Sequence, residues 1–317
     1  MCADGNNRGG TVVVAVSAIP ARCSGVKATC ALRAGEGVVV CVADEWDSDQ
    51  LDLTAYLARI GDTGDAAPTG ETLRRLHRRH VAAIPFENLD IPLGRGISVT
   101  LSDVQTKLVG AERGGYCYEH GLLFAAALDR LGFSVDRLLA RIGDHGARPR
   151  PRTHMALHVR AEDGEWLADV GFGAGLLEPL AWGDTGPHVQ GCWRYRMEPY
   201  GESAWRVAEQ RGDDWTVLYT LTNEPQHASD VLMANHFTST HGSSPFVGQP
   251  IVMHKADDVQ LRLVGRQLSR IEAHGVTAER ELGDAWFART LREDFGLRLT
   301  AAEIGKLLRV ASGNSAA

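Results

Sequence analysis

From Asp52 onward, Leu53, Tyr56, Leu57 and Ile60 recur at three- and four-residue spacing, the period of a helix with one buried face. Asp52 or Thr54 can cap its start and Gly61 ends it. A second helix is expected from Thr69 or Thr72 through Leu73, Leu76 and His80, stopped by Pro85, which disfavours a helical residue before it. Arg74, Arg75, Arg78 and Arg79 with His77 and His80 give this helix a charge pattern that reads as a solvated face. A third helix is expected from Ser102, as cap, to Ala111. The stretch from Glu119 to Leu131 is apolar on every side, so it should be a buried central helix.

Past Gly132 the pattern changes to strand-like alternation. Val135, Leu138 and Leu139 are followed by Met155, Leu157 and Val159, then Trp166 and Leu167, with Asp-Gly and other turn signals between them. Further strands are read at Trp193 to Arg196, Trp205 to Ala208, Trp215 to Leu221, Val252, Val259 to Val264 and Leu268 to Ile271. The end of the chain reads as helix, Thr277 to Phe295 and Ala301 to Leu308, with Thr277 and Thr300 as caps. Helices followed by strands imply an α+β chain with subdomains. Residues 1 to 45 show no sustained period before the acidic Asp44-Glu45-Trp46-Asp47, and are expected to be a poorly ordered extension.

Composition narrows the class. A chain of 317 residues, 44% apolar and 23% charged, is long enough for two or three packed subdomains and an enclosed site. A net charge of -7 argues against general nucleic-acid binding. No run reaches the roughly 18 apolar residues of a membrane span. The apolar stretch Thr11 to Ile19 has only Arg8 ahead of it, which does not suit a secretory signal, so a cytoplasmic location is expected. Four of the six cysteines, Cys2, Cys23, Cys30 and Cys41, crowd the first 41 residues, leaving Cys117 and Cys192. That distribution fits neither a disulfide framework nor a zinc site, so reduced thiols and no metal are expected.

Candidate chemistry centres on Arg113-Gly114-Gly115-Tyr116-Cys117-Tyr118-Glu119-His120, just before the buried helix. Two glycines permit close backbone approach, and a cysteine at a helix N-terminus meets free N–H groups and a positive dipole end that favour a thiolate. The same N–H groups can hold an oxyanion. Cys117 could equally be a small buried filler, since free cysteines are among the most buried residues. A thiol nucleophile needs a base and an orienting group. His154-Met155-Ala156-Leu157-His158-Val159 places both histidines on one strand face, and an Asp163-Gly164 turn would return Asp169 alongside. A plain two-residue turn at that point sets Asp169 opposite His158, so spacing alone favours His158, and a bulge would be needed to favour His154.

Taken together, the Arg-Gly-Gly-Tyr-Cys block, His154, Asp169 within Asp-Val-Gly-Phe-Gly, Ile84-Pro85-Phe86-Glu87-Asn88-Leu89, and Asn235-His236-Phe237-Thr238-Ser239-Thr240-His241 with Ser244-Pro245-Phe246 resemble the arylamine N-acetyltransferases. The resemblance implies a helical bundle over 46–131, a β-barrel over 132–235, an interdomain segment over 236–257 and a C-terminal α/β lid over 258–317. Bundle and barrel would share the cysteine-protease and transglutaminase core. Cys117 would be the nucleophile, His154 its base and Asp169 the orienting carboxylate. Arg113 and Glu87 would form a supporting ion pair, and Phe86 and Phe172 would line the acceptor pocket. Gly171, Gly173, Thr238, Ser239 and Trp286 would meet coenzyme A. Acetyl-CoA or another short acyl-CoA would be co-substrate, and an arylamine, arylhydroxylamine or hydrazine the acceptor. A cysteine hydrolase or transglutaminase with the same triad is the alternative.

Overall fold

The structure, a computed structural model, describes residues 44–64, 66–144 and 149–313. The chain divides into two units, Met1–Ala43 and Asp44–Ala317, and all that follows concerns the second. The expected N-terminal extension, with its four cysteines and the Thr11 to Ile19 run, lies outside the described residues except for Asp44 and Glu45.

The first helix, α1 (Leu53–Ile60), starts where the Asp52 carboxylate accepts from the Ala55 N–H at 2.9 Å and ends at Gly61, whose φ of 68° needs no Cβ. In α2 (Gly70–Ala83) the Thr69 hydroxyl accepts from the Thr72 N–H, and the helix gives way to extended Ile84 ahead of Pro85. Leu73, Leu76, His77 and His80 form its buried stripe. This corrects the reading of its histidines as solvated: the arginines take the outer side and both imidazoles are fully buried. A short strand, β1 (Phe86–Glu87), precedes α3 (Leu101–Gln105), which widens into a π-helical turn over Thr106–Gly110. Its cap is Thr100 rather than Ser102, because buried Leu101 already belongs to the first turn.

The buried helix α4 (Cys117–Arg130) begins two residues earlier than its apolar run, since the Glu119 carboxylate reaches back to accept from the Tyr116 N–H at 3.0 Å. Against it stands an eight-stranded antiparallel sheet that curls into a nearly closed barrel, in the order β5-β4-β3-β2-β9-β8-β7-β6. Its strands are β2 (Ser134–Ile142), β3 (His154–Ala161), β4 (Gly164–Ala168), β5 (Leu180–Ala181), β6 (His188–Gln190), β7 (Trp193–Tyr200), β8 (Ala204–Arg211) and β9 (Asp214–Thr222).

Helix α5 (Ala228–Thr240), which apolar periodicity did not reveal, buries Val231, Asn235 and Thr238. Two of those three are polar, so the stripe is invisible to a hydrophobic pattern. The remaining strands, β10 (Ile251–Lys255), β11 (Gln260–Val264), β12 (Gln267–Glu272) and β13 (Gly275–Glu281), form a second sheet in the order β1-β10-β11-β12-β13. The segment 236–257 thus holds the end of α5 and β10. Helices α6 (Asp284–Glu293) and α7 (Ala301–Ala311) cover the second sheet through Phe287, Leu291 and Leu307. Thr300 caps α7 as expected. Thr277 does not start a helix: it lies in β13, paired with β12, and the helix begins after Gly283. Exposed Thr277-Ala278-Glu279-Arg280-Glu281 offers no apolar stripe to bury as a helix, whereas the β12 backbone satisfies its hydrogen bonds.

Candidate active site

Cys117 is the first residue of α4 and only 3% exposed. Its Sγ donates to the Thr153 carbonyl at 3.7 Å. The approach to it depends on glycine: a Cβ on Gly114 would lie 2.1 Å from the Pro85 carbonyl oxygen, and one on Gly171 would lie 2.8 Å from the Cys117 Cα. Larger residues would push α4 away from the two loops that flank it.

The β3–β4 hairpin decides which histidine meets which carboxylate. Ala161 pairs with Gly164 and Leu157 with Ala168, so the turn is Glu162-Asp163, one residue earlier than expected. This register sets Asp169, just past β4, level with Ala156, and on an antiparallel face side chains two residues apart across the pair meet diagonally. His154 Nε2 accordingly lies 2.8 Å from Asp169 Oδ2, and His158 Nε2 lies 2.9 Å from Glu165 Oε2. His158 also packs against Trp182, the rings tilted and their centroids 4.1 Å apart. The spacing argument for His158 is therefore corrected by a one-residue shift of the turn, without a bulge.

With Nε2 engaged by Asp169, the other ring nitrogen of His154 is left for Cys117, whose Sγ meets the carbonyl of Thr153, the residue before His154, at 3.7 Å. Burial on its own would lower the imidazolium's pKa, but the adjoining Asp169 and Cys117 outweigh it and raise it to about 10. Burial pushes the Asp169 carboxyl up, and the His154 charge, with the Gly171 N–H donating at 3.0 Å, more than reverses this and holds it below the usual range. Thiol, imidazole and carboxylate are thus buried together.

The sequence comparisons agree with one another. The N-acetyltransferase family model matches residues 69–304. An arylamine N-acetyltransferase of Mycolicibacterium smegmatis is 38% identical over 226 residues, covering 69% of this chain and 82% of the relative. The chain belongs to the arylamine N-acetyltransferase family. Among solved structures, the arylamine N-acetyltransferase of Nocardia farcinica superposes with a TM-score of 0.78 at 40% identity, covering 83% of this chain and 95% of that one. That of Mycobacterium marinum in complex with CoA superposes at 0.74 and 33% identity, covering 83% and 99%.

Other residues that an arylamine N-acetyltransferase sequence singles out fall in different places. Glu87 and Arg113 form a buried pair at 2.6 Å. Phe172 stands edge-on to the His154 ring at 5.2 Å, and Phe86 is buried 5.8 Å from the Phe246 ring. Gly173, at φ 76°, packs so closely on Phe86 that a Cβ would lie 2.6 Å from its ring. The Thr238 and Ser239 hydroxyls donate back to Ala234 and Asn235 within α5, and Thr238 also meets the Tyr118 hydroxyl at 3.3 Å. Trp286 is half exposed on α6, its ring facing Arg280 and Arg289 at 4.8 and 5.1 Å. The fold gathers all of these except Trp286 around α4, its flanking loops and α5.

Sequence reasoning missed three groups. Lys107 reaches Asp90 at 2.7 Å and Glu119 at 2.8 Å, joining the Glu87–Arg113 pair in one buried network. Burial lifts the Glu119 carboxyl to about 7 although Lys107 holds it down. Tyr219 packs 4.9 Å from the His154 ring and 5.6 Å from Phe172. His77 bonds to the Asp169 backbone. Only the helical phase of His77, four residues after Leu73 on the buried stripe, gave any signal.

Proposed function

We propose that this chain is an acyl-CoA-dependent arylamine N-acetyltransferase that works by double displacement through a thioester on Cys117. The observation that carries the reading is the burial together of Cys117, His154 and Asp169, with the thiol at a helix N-terminus, His154 bonded to Asp169 and the imidazolium raised to about 10. Cys117 Sγ attacks the thioester carbonyl of acetyl-CoA, the C–S bond to coenzyme A breaks, and His154 gives its proton to the departing thiolate. An arylamine, arylhydroxylamine or hydrazine then attacks the acyl-enzyme. His154 takes the amine's proton and the Cys117 thiolate leaves. Free N–H groups at the start of α4 suit the oxyanion of both steps.

Asp169 keeps the imidazole oriented, the Glu87–Arg113 pair steadies the loop before α4, and Phe86 and Phe172 line the acceptor pocket. For coenzyme A we keep Gly171, Gly173, Thr238, Ser239 and Trp286, and the CoA complex of the Mycobacterium marinum relative supports such a co-substrate. The free thiols of Cys117 and Cys192 accord with action in the cytoplasm, and arylamine chemistry with the metabolism of foreign compounds.

The test is mass spectrometry after mixing with acetyl-CoA and no amine. One acetyl group should appear on the Cys117 peptide, vanish in Cys117→Ser, persist in Cys192→Ser, and leave on addition of an arylamine. Label on another residue, or hydrolysis of peptides without use of acetyl-CoA, would refute the reading in favour of a hydrolase.

A further inference from the structure

The loop from Asp169 to Leu177 carries Gly171, Phe172, Gly173 and Gly175, and buries Val170, Leu176 and Leu177. Its backbone is fastened from outside by buried polar groups. Lys255 Nζ donates to the Ala174 carbonyl at 3.0 Å and the Tyr195 hydroxyl to that of Gly175 at 2.7 Å. Gln190 Oε1 accepts from the N–H groups of Leu177 and Glu178 at 2.8 and 3.0 Å. His77, from α2, binds both ends at once: Nε2 accepts from the Asp169 N–H at 3.1 Å and Nδ1 donates to the Leu177 carbonyl at 3.0 Å.

Those two partners fix the state of the ring. A backbone N–H at Nε2 requires a lone pair there, and a carbonyl at Nδ1 requires a proton there, so only the neutral Nδ1–H tautomer satisfies both. The surroundings favour it: the ring has no exposure, meets Phe124 edge-on at 5.8 Å, and burial lowers its pKa to about 4 despite Leu177, Asp169 and Glu178.

We propose that His77 is a positioning residue for acyl transfer, fixing the Asp169 backbone so that its carboxylate is aimed at His154 Nε2; this rests on the reading of Cys117, His154 and Asp169 given above. Partners of a ligating or reacting side chain orient it, and their loss commonly costs on the order of tenfold in activity. His77 touches neither thiol nor substrate and acts only through Asp169.

The two ends of the ring can be separated by substitution. His77→Gln places an amide oxygen near the position of Nε2 and keeps an acceptor for Asp169. His77→Asn places its amide near Nδ1 and keeps the donor for Leu177. Each variant loses one of two hydrogen bonds, so comparable falls in thermal midpoint are expected. The pH profile of Cys117 alkylation by iodoacetamide and the acylation rate should nevertheless divide them. His77→Asn should shift the alkylation midpoint upward and slow acylation by on the order of tenfold, while His77→Gln stays near the parent. Equal profiles in the two variants, or the reverse order, would overturn the proposal.

A second measurement needs no variant: 15N NMR of the parent should show a protonated Nδ1 and a bare Nε2 on His77, and an Nε2–H tautomer would overturn the assignment. If the parent takes no acetyl from acetyl-CoA while alkylation still separates Asn from Gln, the acetyltransferase reading falls and the positioning of Asp169 stands.

Discussion

His154 and His158 stand four residues apart on one face of β3, and each finds a carboxylate on the neighbouring strand or just beyond it. What separates them is the third neighbour: His154 adjoins Cys117, whereas His158 lies against Trp182. His154→Gln should therefore slow acylation by roughly 10²-fold or more, and His158→Gln should leave the rate alone while costing about 1 kcal/mol of stability from its lost hydrogen bond. Rapid-quench mass spectrometry beside urea titrations would check both, and an acylation defect in His158→Gln alone would reverse the assignment. Lys107 invites a similar argument about a buried charge. Lys107→Met leaves Asp90 and Glu119 without their shared cation, and removing one partner of a buried pair typically costs about 3–5 kcal/mol. A loss under about 1 kcal/mol in urea unfolding would place this network with surface pairs instead.

Helix α4 is the element on which the site depends, and its start is set by contacts on both sides. Gly114 allows the preceding loop to run against Pro85, so Gly114→Ala, which would bring a Cβ within 2.1 Å of that carbonyl, should destabilise by about 1–3 kcal/mol and lower activity as α4 shifts. Gly242 meets nothing within 4 Å at ordinary φ, and Gly242→Ala should be neutral or gain up to about 1 kcal/mol. Thermal melts of the pair, with acylation rates, separate close approach from general glycine flexibility. Elements with a strong apolar period, α1 and α2, were readable from the chain, as were α4 from its continuous apolar run and most barrel strands. Those without one were not: α5 buries Asn235 and Thr238 as well as Val231, and β13 is an exposed edge strand whose residues suit either structure until β12 pairs with it.

The whole molecule keeps several titratable groups away from water, and its stability should follow pH accordingly. Burial lowers His77 and His120 to about 4, against an ordinary 6.5, and lowers His80 well below its ordinary value too, so below pH 6.5 the unfolded chain binds protons that the folded one refuses. Stability from these groups falls on acidification through that window. Glu119, raised to about 7 against 4.5, opposes the trend, and His154, raised to about 10, loses its contribution only as pH rises from about 6.5 toward 10. With three histidines against one carboxyl, the thermal midpoint should drop between pH 6.5 and 5; a flat or rising profile would mean that the histidines are not buried neutral. The sequence by itself determined the helical and strand periods, the glycines before Cys117, and the set of residue types for a thiol, imidazole and carboxylate site. The tertiary structure decided which histidine meets Asp169, because a turn placed one residue earlier changes every cross-strand partner in the β3–β4 hairpin. It also decided what holds Asp169 and Glu119 in place. His77 and Lys107 come from α2 and the turn after α3, distant in the chain, and no local pattern records a hydrogen bond between residues that only packing brings together.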